Sequence, residues 1–257
     1  MNPYLISLFA CGLLAAAMVV AARVGHRVAR RKFLANPQIE ISSGTVDAAI
    51  LSLLGLLIAF TFSNAYSRYN IRRELIVQEV NAIGTAYLRL DLLPSDAQPG
   101  LREKLREYTR SRYDIFELFS NHSAAMAEYA HSEQLQLEIW NASVAATQHE
   151  TGGDGRKLLL PALNEMIDIT PTRLIAIQAH PPLLVFLLLG LLSLAASWNI
   201  GYGMAKSAAP SYTHVVGFAV MASLALAVIL DIEYLRYGFV TLESAHEMLR
   251  ELQTKLR

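Results

Sequence analysis

The chain has 257 residues, of which 53% are hydrophobic and only 17% are charged, whereas soluble domains carry about 25% charged residues. The 22 basic residues balance the 22 acidic residues, and without a basic excess the sequence gives no sign of a nucleic-acid partner. The composition therefore argues against an ordinary soluble domain and predicts a protein of the lipid bilayer.

Four apolar runs are long enough to cross the membrane as helices, since about 20 helical residues span the hydrocarbon core. They cover residues 4–22, 45–65, 183–205 and 212–230. The first run is not typical of a signal peptide, because no Lys or Arg precedes it. The sequence therefore predicts four transmembrane helices.

The segment 23–44 carries five basic residues and one acidic residue, and it is interpreted as a basic loop between the first two spans. Basic residues in short loops mark the cytoplasmic side. This pattern favours an outside position for the long segment 66–182, although Arg68, Arg72 and Arg73 at the far end of the second span weaken the preference.

Helical periodicity continues through the segment 66–182. After the second span, apolar residues recur at steps of three and four residues and form one predicted helix face. They are Ile76, Val80, Ile83, Tyr87 and Leu90. A further helix is expected to start at Thr170-Pro171, since proline favours the first helical position. No alternating strand pattern is found.

The predicted fold is all-α, with four transmembrane helices and a helical extramembrane domain inserted between the second and third spans. The predicted divisions are residues 1–65 for the first two spans, 66–182 for the inserted domain, 183–234 for the last two spans and 235–257 for a C-terminal amphipathic helix. That last helix has apolar positions at Leu242, Ala245, Leu249 and Leu252, and it is expected to dock within the chain.

The second span carries the residues of greatest functional interest. Asp47 lies near its start, and an ionisable group in a span tends to face a cavity or a partner. Small residues step along one side of the same span, at Ser52, Gly55, Ala59 and Ser63. Such a stripe indicates close helix packing, and it would equally allow a weakly polar pore lining if the helix were repeated around an axis.

Catalytic and metal-binding patterns are absent from the sequence. There is no nucleophile elbow, phosphate loop, dinucleotide fingerprint or His-Glu-x-x-His motif, and the seven histidines are scattered. We therefore expect no enzymatic activity, no catalytic residue, no metal site and no cofactor.

The stretch 57–69, at the end of the second span, resembles the second membrane helix of the bestrophin channels. In that family an apolar, Phe-containing neck leads into a Phe-x-x-Asn-x-x-Tyr-x-Arg-aromatic signature. Here the aromatic place is taken by Phe60 or Phe62, and the later places by Asn64, Tyr66 and Arg68. The four spans and the long helical insert fit the same resemblance, which extends to the bestrophin-like bacterial membrane proteins.

The sequence departs from the family directly after the signature. Bestrophins continue with a Glu-Ala-Arg element, whereas this chain has Ile71-Arg72-Arg73. An acidic cluster like the calcium clasp of bestrophins is also absent from the sequence.

The resemblance implies a homo-oligomeric ion channel, pentameric by analogy, in a cell membrane expected to be the bacterial inner membrane. The second helix of each subunit would line the pore, and a ring of Phe60 or Phe62 would form an apolar gate. Inorganic ions would interact with Ser52, Ser63 and Asn64. Asp47 would favour cations at one mouth, and Arg68, Arg72 or Arg73 would favour anions at the other. The family's insert is cytosolic, opposite to the preference from charge.

A second interpretation remains open from the sequence. The four spans could anchor a helical interaction or sensing domain in the membrane without conducting ions. A strictly monomeric protein would favour this interpretation, because four helices with one charged residue cannot enclose a wide aqueous path.

Overall fold

The computed structural model describes residues 3–38, 44–118, 121–148, 154–234 and 241–256. Within these ranges the chain is almost entirely helical and contains no strand, as predicted. The helices are α1 (Pro3–Ala35), α2 (Gly44–Arg89), α3 (Gln98–Glu117), α4 (His122–Thr147), α5 (Asp154–Gln178), α6 (Leu183–Gly203), α7 (Thr213–Glu233) and α8 (Glu243–Lys255).

Four helical stretches among the described residues are long and apolar enough to cross a membrane. They are Phe9–Ala35, Gly44–Leu92, Gly155–Lys206 and Thr213–Glu233. Each contains one of the four predicted apolar runs, or most of it. The prediction of four membrane-spanning helices is therefore confirmed.

The chain divides into two compact units. The span unit comprises Met1–Arg68 and His180–Val240, and the insert unit comprises Tyr69–Ala179 and Thr241–Arg257. Helix α2 is continuous and contributes its first part to the span unit and its second part to the insert unit.

In the span unit, α1 packs against α6 and α7. The crossing with α6 is close, because a Cβ atom at Gly201 would collide with the backbone of Ala22, and one at Gly25 would collide with the carbonyl of Trp198. Small residues at such crossings let helix backbones approach in membranes.

The expectation of a basic loop over 23–44 is wrong for most of that segment. Residues 23–35 form the last turns of α1, because Arg and Lys are good helix formers and the first helix breaker is Asn36-Pro37. Arg30 is also used structurally, since its Nη1 donates a hydrogen bond to the carbonyl of Ala205, 3.2 Å away. Residues 39–43 of the predicted loop lie outside the described residues.

In the insert unit, α4 packs against α3 and α5, and α8 packs against α3, while Glu79 of α2 pairs with α3 and α5. The predicted apolar face of α2 is confirmed, since Ile76, Ile83, Tyr87 and Leu90 are buried. The other core residues of this unit include Leu101, Leu105, Tyr108, Ile139, Leu159, Leu163 and Met166. The predicted C-terminal helix docks on α3 within the same unit, with Leu249 fully buried.

No new helix starts at Thr170-Pro171. Helix α5 continues through Pro171, although proline removes a backbone donor from a helix. The Oγ1 atom of Thr170 lies 3.1 Å from the Tyr108 hydroxyl and accepts a hydrogen bond from Gln136 at 2.8 Å. These buried side-chain bonds tie α5 to α3 and α4 next to the proline.

Candidate pore-lining helix

The first part of α2 has one buried side and a broad exposed side. Leu54, Thr61 and Ala65 are buried in the span unit, and the Thr61 hydroxyl donates to the carbonyl of Leu57 at 2.7 Å. Exposed residues recur at helical spacing on the other side. We call one part of this side the Phe60 face; it comprises Ser52, Leu56, Phe60, Ser63, Asn64 and Ser67, all exposed.

A second part of the exposed side of α2 borders α7. Gly55, Ala59 and Phe62 line an open apolar groove of about 400 Å³. Its opposite wall belongs to α7 and includes Met221, Leu224, Ala225 and Val228. The Phe62 ring also stacks on Tyr66, with ring centroids 6.4 Å apart. We call this the α7 groove.

The two phenylalanines therefore lie on different faces of α2. Successive residues of an α-helix are rotated by about 100°, so Phe60 and Phe62 point in directions about 160° apart. Phe60 is 58% exposed and Phe62 is 43% exposed. Gly55 and Ala59 of the small-residue stripe line the α7 groove, and the exposed Ser52 and Ser63 lie between that groove and Phe60 around the helix.

Asp47 lies in the first turn of α2, which begins at Gly44. It is half-buried. A carboxylate in the first helical turn is stabilised by the partial positive charge of the helix N-terminus. The helix N-terminus therefore stabilises Asp47 independently of any role with ions.

Arg68, the basic residue of the signature, holds a buried carboxylate. Its Nη2 donates to Oε2 of Glu233 at 2.6 Å, and its Nε donates to Oε1 at 3.2 Å and to Oε2 at 2.9 Å. Glu233 is the last residue of α7, and its side chain is fully buried whereas that of Arg68 is 25% exposed. Such a bidentate pair fixes geometry as well as charge, and here it ties α2 to the end of α7.

His180 is the second partner of Glu233. Its Nδ1 lies 3.0 Å from Oε1 of that carboxylate, and its ring stacks on Tyr234 with centroids 4.8 Å apart. The imidazole side chain is 35% exposed. His180 immediately precedes Pro181-Pro182 at the start of α6. Glu233 therefore joins α2, α7 and the approach to α6 in the span unit.

Arg72 and Arg73 differ in their surroundings. Arg72 is buried, and its guanidinium donates 2.9 Å hydrogen bonds to the carbonyls of Ala176 and Ala179. These carbonyls lie at the C-terminal end of α5, where helical carbonyls lack intrahelical donors. Arg73 is exposed. Arg72 is thus a structural cap, and Arg73 is the exposed arginine of the pair.

A buried charge cluster in the insert unit was missed by the sequence analysis. Glu79 of α2 pairs with Arg112 of α3 through Oε1 at 2.5 Å and with Arg173 of α5 through Oε2. All three side chains are buried, and that of Glu79 is fully so. The signal in the sequence was Arg112, which interrupts an otherwise apolar helix face.

His246 of α8 stacks on Phe116, with ring centroids 3.6 Å apart. Its Nδ1 lies 3.0 Å from the carbonyl of Leu242. Burial, reinforced by the positive charges of Arg173 and Arg112, lowers the pKa of His246 to about 4. The imidazole is therefore neutral at physiological pH and behaves as part of the core. Among the described residues, no group of three His, Cys, Asp or Glu side chains is arranged to hold a metal ion.

Comparisons with known proteins identify the family of this chain. The model of the Bestrophin-like domain matches residues 12–245. The fold is similar to the crystal structure of a bacterial Bestrophin homolog from Klebsiella pneumoniae that carries one mutation, with a TM-score of 0.67 and 13% sequence identity over 97% of this chain and 98% of the other. A search of curated proteins finds no match. The chain is a multi-pass membrane protein that belongs to the Bestrophin-like family.

Proposed function

We propose that this protein is an ion channel in which several copies of the chain surround a central pore lined by the Phe60 face of α2. The supporting observation is the exposure of Ser52, Ser63 and Asn64 along a helix that is long and apolar enough to span a membrane. Polar groups at membrane depth are unfavourable against lipid and are found facing protein or a water-filled cavity. A ring of subunits provides such a cavity.

Phe60 is the candidate gate in this arrangement. It lies between the polar positions Ser52 and Ser63 on the same face, and a ring of aromatic side chains forms an apolar constriction that can close a pore by dewetting. Phe62 has a different role, because it borders the α7 groove and stacks on Tyr66. The α7 groove is then a packing surface for a neighbouring subunit or for lipid.

The oligomer is a homo-oligomer, and we propose a pentamer by analogy with bestrophins. A single chain has one Phe60 face and cannot enclose an aqueous path by itself. Native mass measurement in mild detergent gives the number of copies directly. A strict monomer contradicts the channel and favours the alternative, a membrane-anchored interaction or sensing protein.

The channel itself is tested with purified protein in planar bilayers. We expect ionic current from the wild type, a larger current from Phe60→Ala because the apolar constriction is widened, and a smaller change from Phe62→Ala. Absence of current under all ions and voltages, or a current unchanged by Phe60→Ala, contradicts the proposal. The two phenylalanine variants serve as controls for each other, since they remove the same side chain from two faces of one helix.

We further propose that the protein resides in the bacterial inner membrane with the insert unit on the cytosolic side, as in the family. The basic residues in the last turns of α1 favour the opposite side, and the proposal follows the family instead. Placing a single cysteine at the exposed Leu137 of α4 in a Cys11→Ser background tests the orientation. A membrane-impermeant maleimide should label it only after the cells are opened, and labelling of intact spheroplasts contradicts the proposed side.

A further inference from the structure

The exposed side of α1 changes from apolar to basic along the helix. Phe9, Leu13 and Val20 are exposed and lie on one side of the helix, since they are separated by steps of four and seven residues. Further steps of seven and four residues lead to Arg27 and Arg31, which are also exposed. The apolar part of this side suits lipid hydrocarbon, and the basic part suits the headgroup layer that borders it.

Contacts with the link between α6 and α7 fix the level at which α1 leaves the apolar layer. The Nε2 atom of His26 lies 3.2 Å from the carbonyl oxygen of Ser207 in this link. The Nη1 atom of Arg30 donates to the carbonyl oxygen of Ala205, also 3.2 Å away. Arg27 lies between His26 and Arg30 in sequence, and it therefore stands at the level where the apolar helices α6 and α7 are joined.

Aromatic rings hold basic side chains near the same level. The guanidinium of Arg23 lies over the ring of Tyr212, 5.6 Å from its centroid, and the ammonium of Lys32 lies 5.7 Å from the ring centroid of Tyr202. Tyrosine is enriched where membrane helices meet the headgroups, and a cation over an aromatic ring is held by electrostatic attraction. These contacts indicate a membrane–water interface at this end of the span unit.

Arg23, Arg27 and Arg31 follow one another at intervals of four residues, and we call them the arginine row. The row extends about 12 Å along the helix, at 1.5 Å per residue, whereas the headgroup layer is about 5–8 Å thick on each side of the bilayer. The row therefore covers the depth of this layer.

The helices around the arginine row provide no carboxylate to neutralise it. The sequence contains no acidic residue in 1–39, which includes α1, or in 183–230, which includes α6, the link and most of α7. A phosphate-bearing headgroup supplies the missing negative charge, and the planar guanidinium group can bind phosphate through two parallel hydrogen bonds.

We propose that the arginine row binds the headgroup phosphate of an anionic phospholipid in the leaflet around this end of the span unit. Basic residues next to membrane spans attract anionic lipids, and each charge near the surface raises the affinity by about fivefold. The inference does not depend on the proposed channel function. It gives the basic end of α1 a use that is independent of the orientation of the chain in the membrane.

The experiment is a titration of the purified protein in mild detergent, followed by native mass measurement of the bound lipid. The probes are dioleoyl phosphatidylglycerol and dioleoyl phosphatidylcholine, which share their acyl chains and differ in headgroup charge. The wild type should prefer phosphatidylglycerol by about 25-fold or more. The double variant Arg27→Gln/Arg31→Gln should lower this preference by about 25-fold, and Arg27→Gln alone should lower it by about fivefold.

The matched control is Arg110→Gln/Arg250→Gln, which removes two exposed arginines from the insert unit and should leave the preference within about twofold of wild type. Equal affinity of the wild type for the two lipids overturns the inference, as does a preference that Arg27→Gln/Arg31→Gln leaves in place. An equal loss in the control also overturns it, because binding then follows net charge alone. Displacement of the lipid by inorganic phosphate overturns it as well, because the surface then recognises the free anion.

Circular dichroism should give the same helix content for wild type and all variants, because the substituted side chains are exposed. A changed affinity then reflects the lost charge and not a lost fold.

Discussion

Among the described residues, two glutamates have fully buried side chains, one in each unit, and they are held in contrasting ways. Glu79 in the insert unit lies between Arg112 and Arg173, both buried. Glu233 in the span unit lies between Arg68 and His180, whose side chains are 25% and 35% exposed. Glu79 therefore belongs to a buried ion cluster with two arginines, whereas the partners of Glu233 are partly exposed to water and one of them is a histidine.

This difference indicates different uses of the same residue type. Removing one member of a buried ion cluster leaves an uncompensated charge in a medium that solvates it poorly. A partner that still reaches water can instead recover hydration when its pair is lost. We therefore expect the Glu79 cluster to set the stability of the insert unit, and the Glu233 cluster to set the geometry of α2 against α7 with a smaller effect on stability.

The largest effect is expected from Glu79→Ala, which leaves Arg112 and Arg173 buried without their carboxylate. The free energy of unfolding should fall by about 3–5 kcal/mol, measured by urea unfolding in detergent and followed by circular dichroism. The matched control is Glu251→Gln, which breaks an exposed pair with Lys255 and should cost about 0.5 kcal/mol or less. Equal losses for the two variants would contradict the assignment of Glu79 to a buried cluster.

The next effect is a pH dependence that originates beside the same cluster. Because the pKa of His246 is lowered to about 4 by burial and by Arg173 and Arg112, the unfolded chain binds a proton at a higher pH than the folded chain does. The contribution of neutral His246 to the free energy of unfolding is fully present above about pH 6.5 and is lost as the pH falls toward 4. The loss should approach roughly 3 kcal/mol. The free energy of unfolding of wild type and of His246→Phe is measured between about pH 4 and 6.5. If both fall with pH in parallel, His246 is not the source of the pH dependence.

Glu233→Gln should have a smaller effect than Glu79→Ala. The amide keeps the size of the side chain and an oxygen acceptor for Arg68, but it loses the charge that both partners face. We expect a loss of about 1–3 kcal/mol, the range for a hydrogen bond to a charged group. Thermal unfolding of the two variants in the same detergent compares them directly. A larger loss for Glu233→Gln would reverse the contrast between the two glutamates.

The smallest effect is expected from Arg68→Lys. Lysine keeps the positive charge but cannot reproduce the two parallel bonds of the guanidinium. The loss of stability should be about 1 kcal/mol, while the single-channel current should become more variable because α2 is less firmly fixed to α7. A variant that matches wild type in both stability and current would show that the bidentate geometry is not needed.

Much of the fold could be predicted because its signals are local. The length of the apolar runs predicted the four spans, and the spacing of Ile76, Ile83 and Leu90 predicted the buried face of α2. The prediction for the end of α1 is wrong because a run of basic residues does not by itself indicate a loop. Arg and Lys favour helices, and Arg30 binds the carbonyl of Ala205 just after the end of α6.

The candidate site could be predicted only in part, because its geometry depends on distant residues. Helix geometry alone separates Phe60 from Phe62, but which of the two borders α7 depends on where α7 lies against α2. Arg68 was recognised as a signature residue, yet its partner Glu233 is 165 positions away and no local pattern connects the two. Periodicity thus reveals which residues share a helix face, and tertiary structure decides what that face meets.

The most direct test of the account is the accessibility of α2 to water within the conducting protein. In a Cys11→Ser background, single cysteines replace Ser63 on the Phe60 face and Phe62 on the α7 groove, and a charged, water-soluble thiol reagent is added to channels in a planar bilayer. We predict that the reagent blocks the current of Ser63→Cys and leaves that of Phe62→Cys unchanged. Block of Phe62→Cys without block of Ser63→Cys would contradict the claim that the Phe60 face lines the pore.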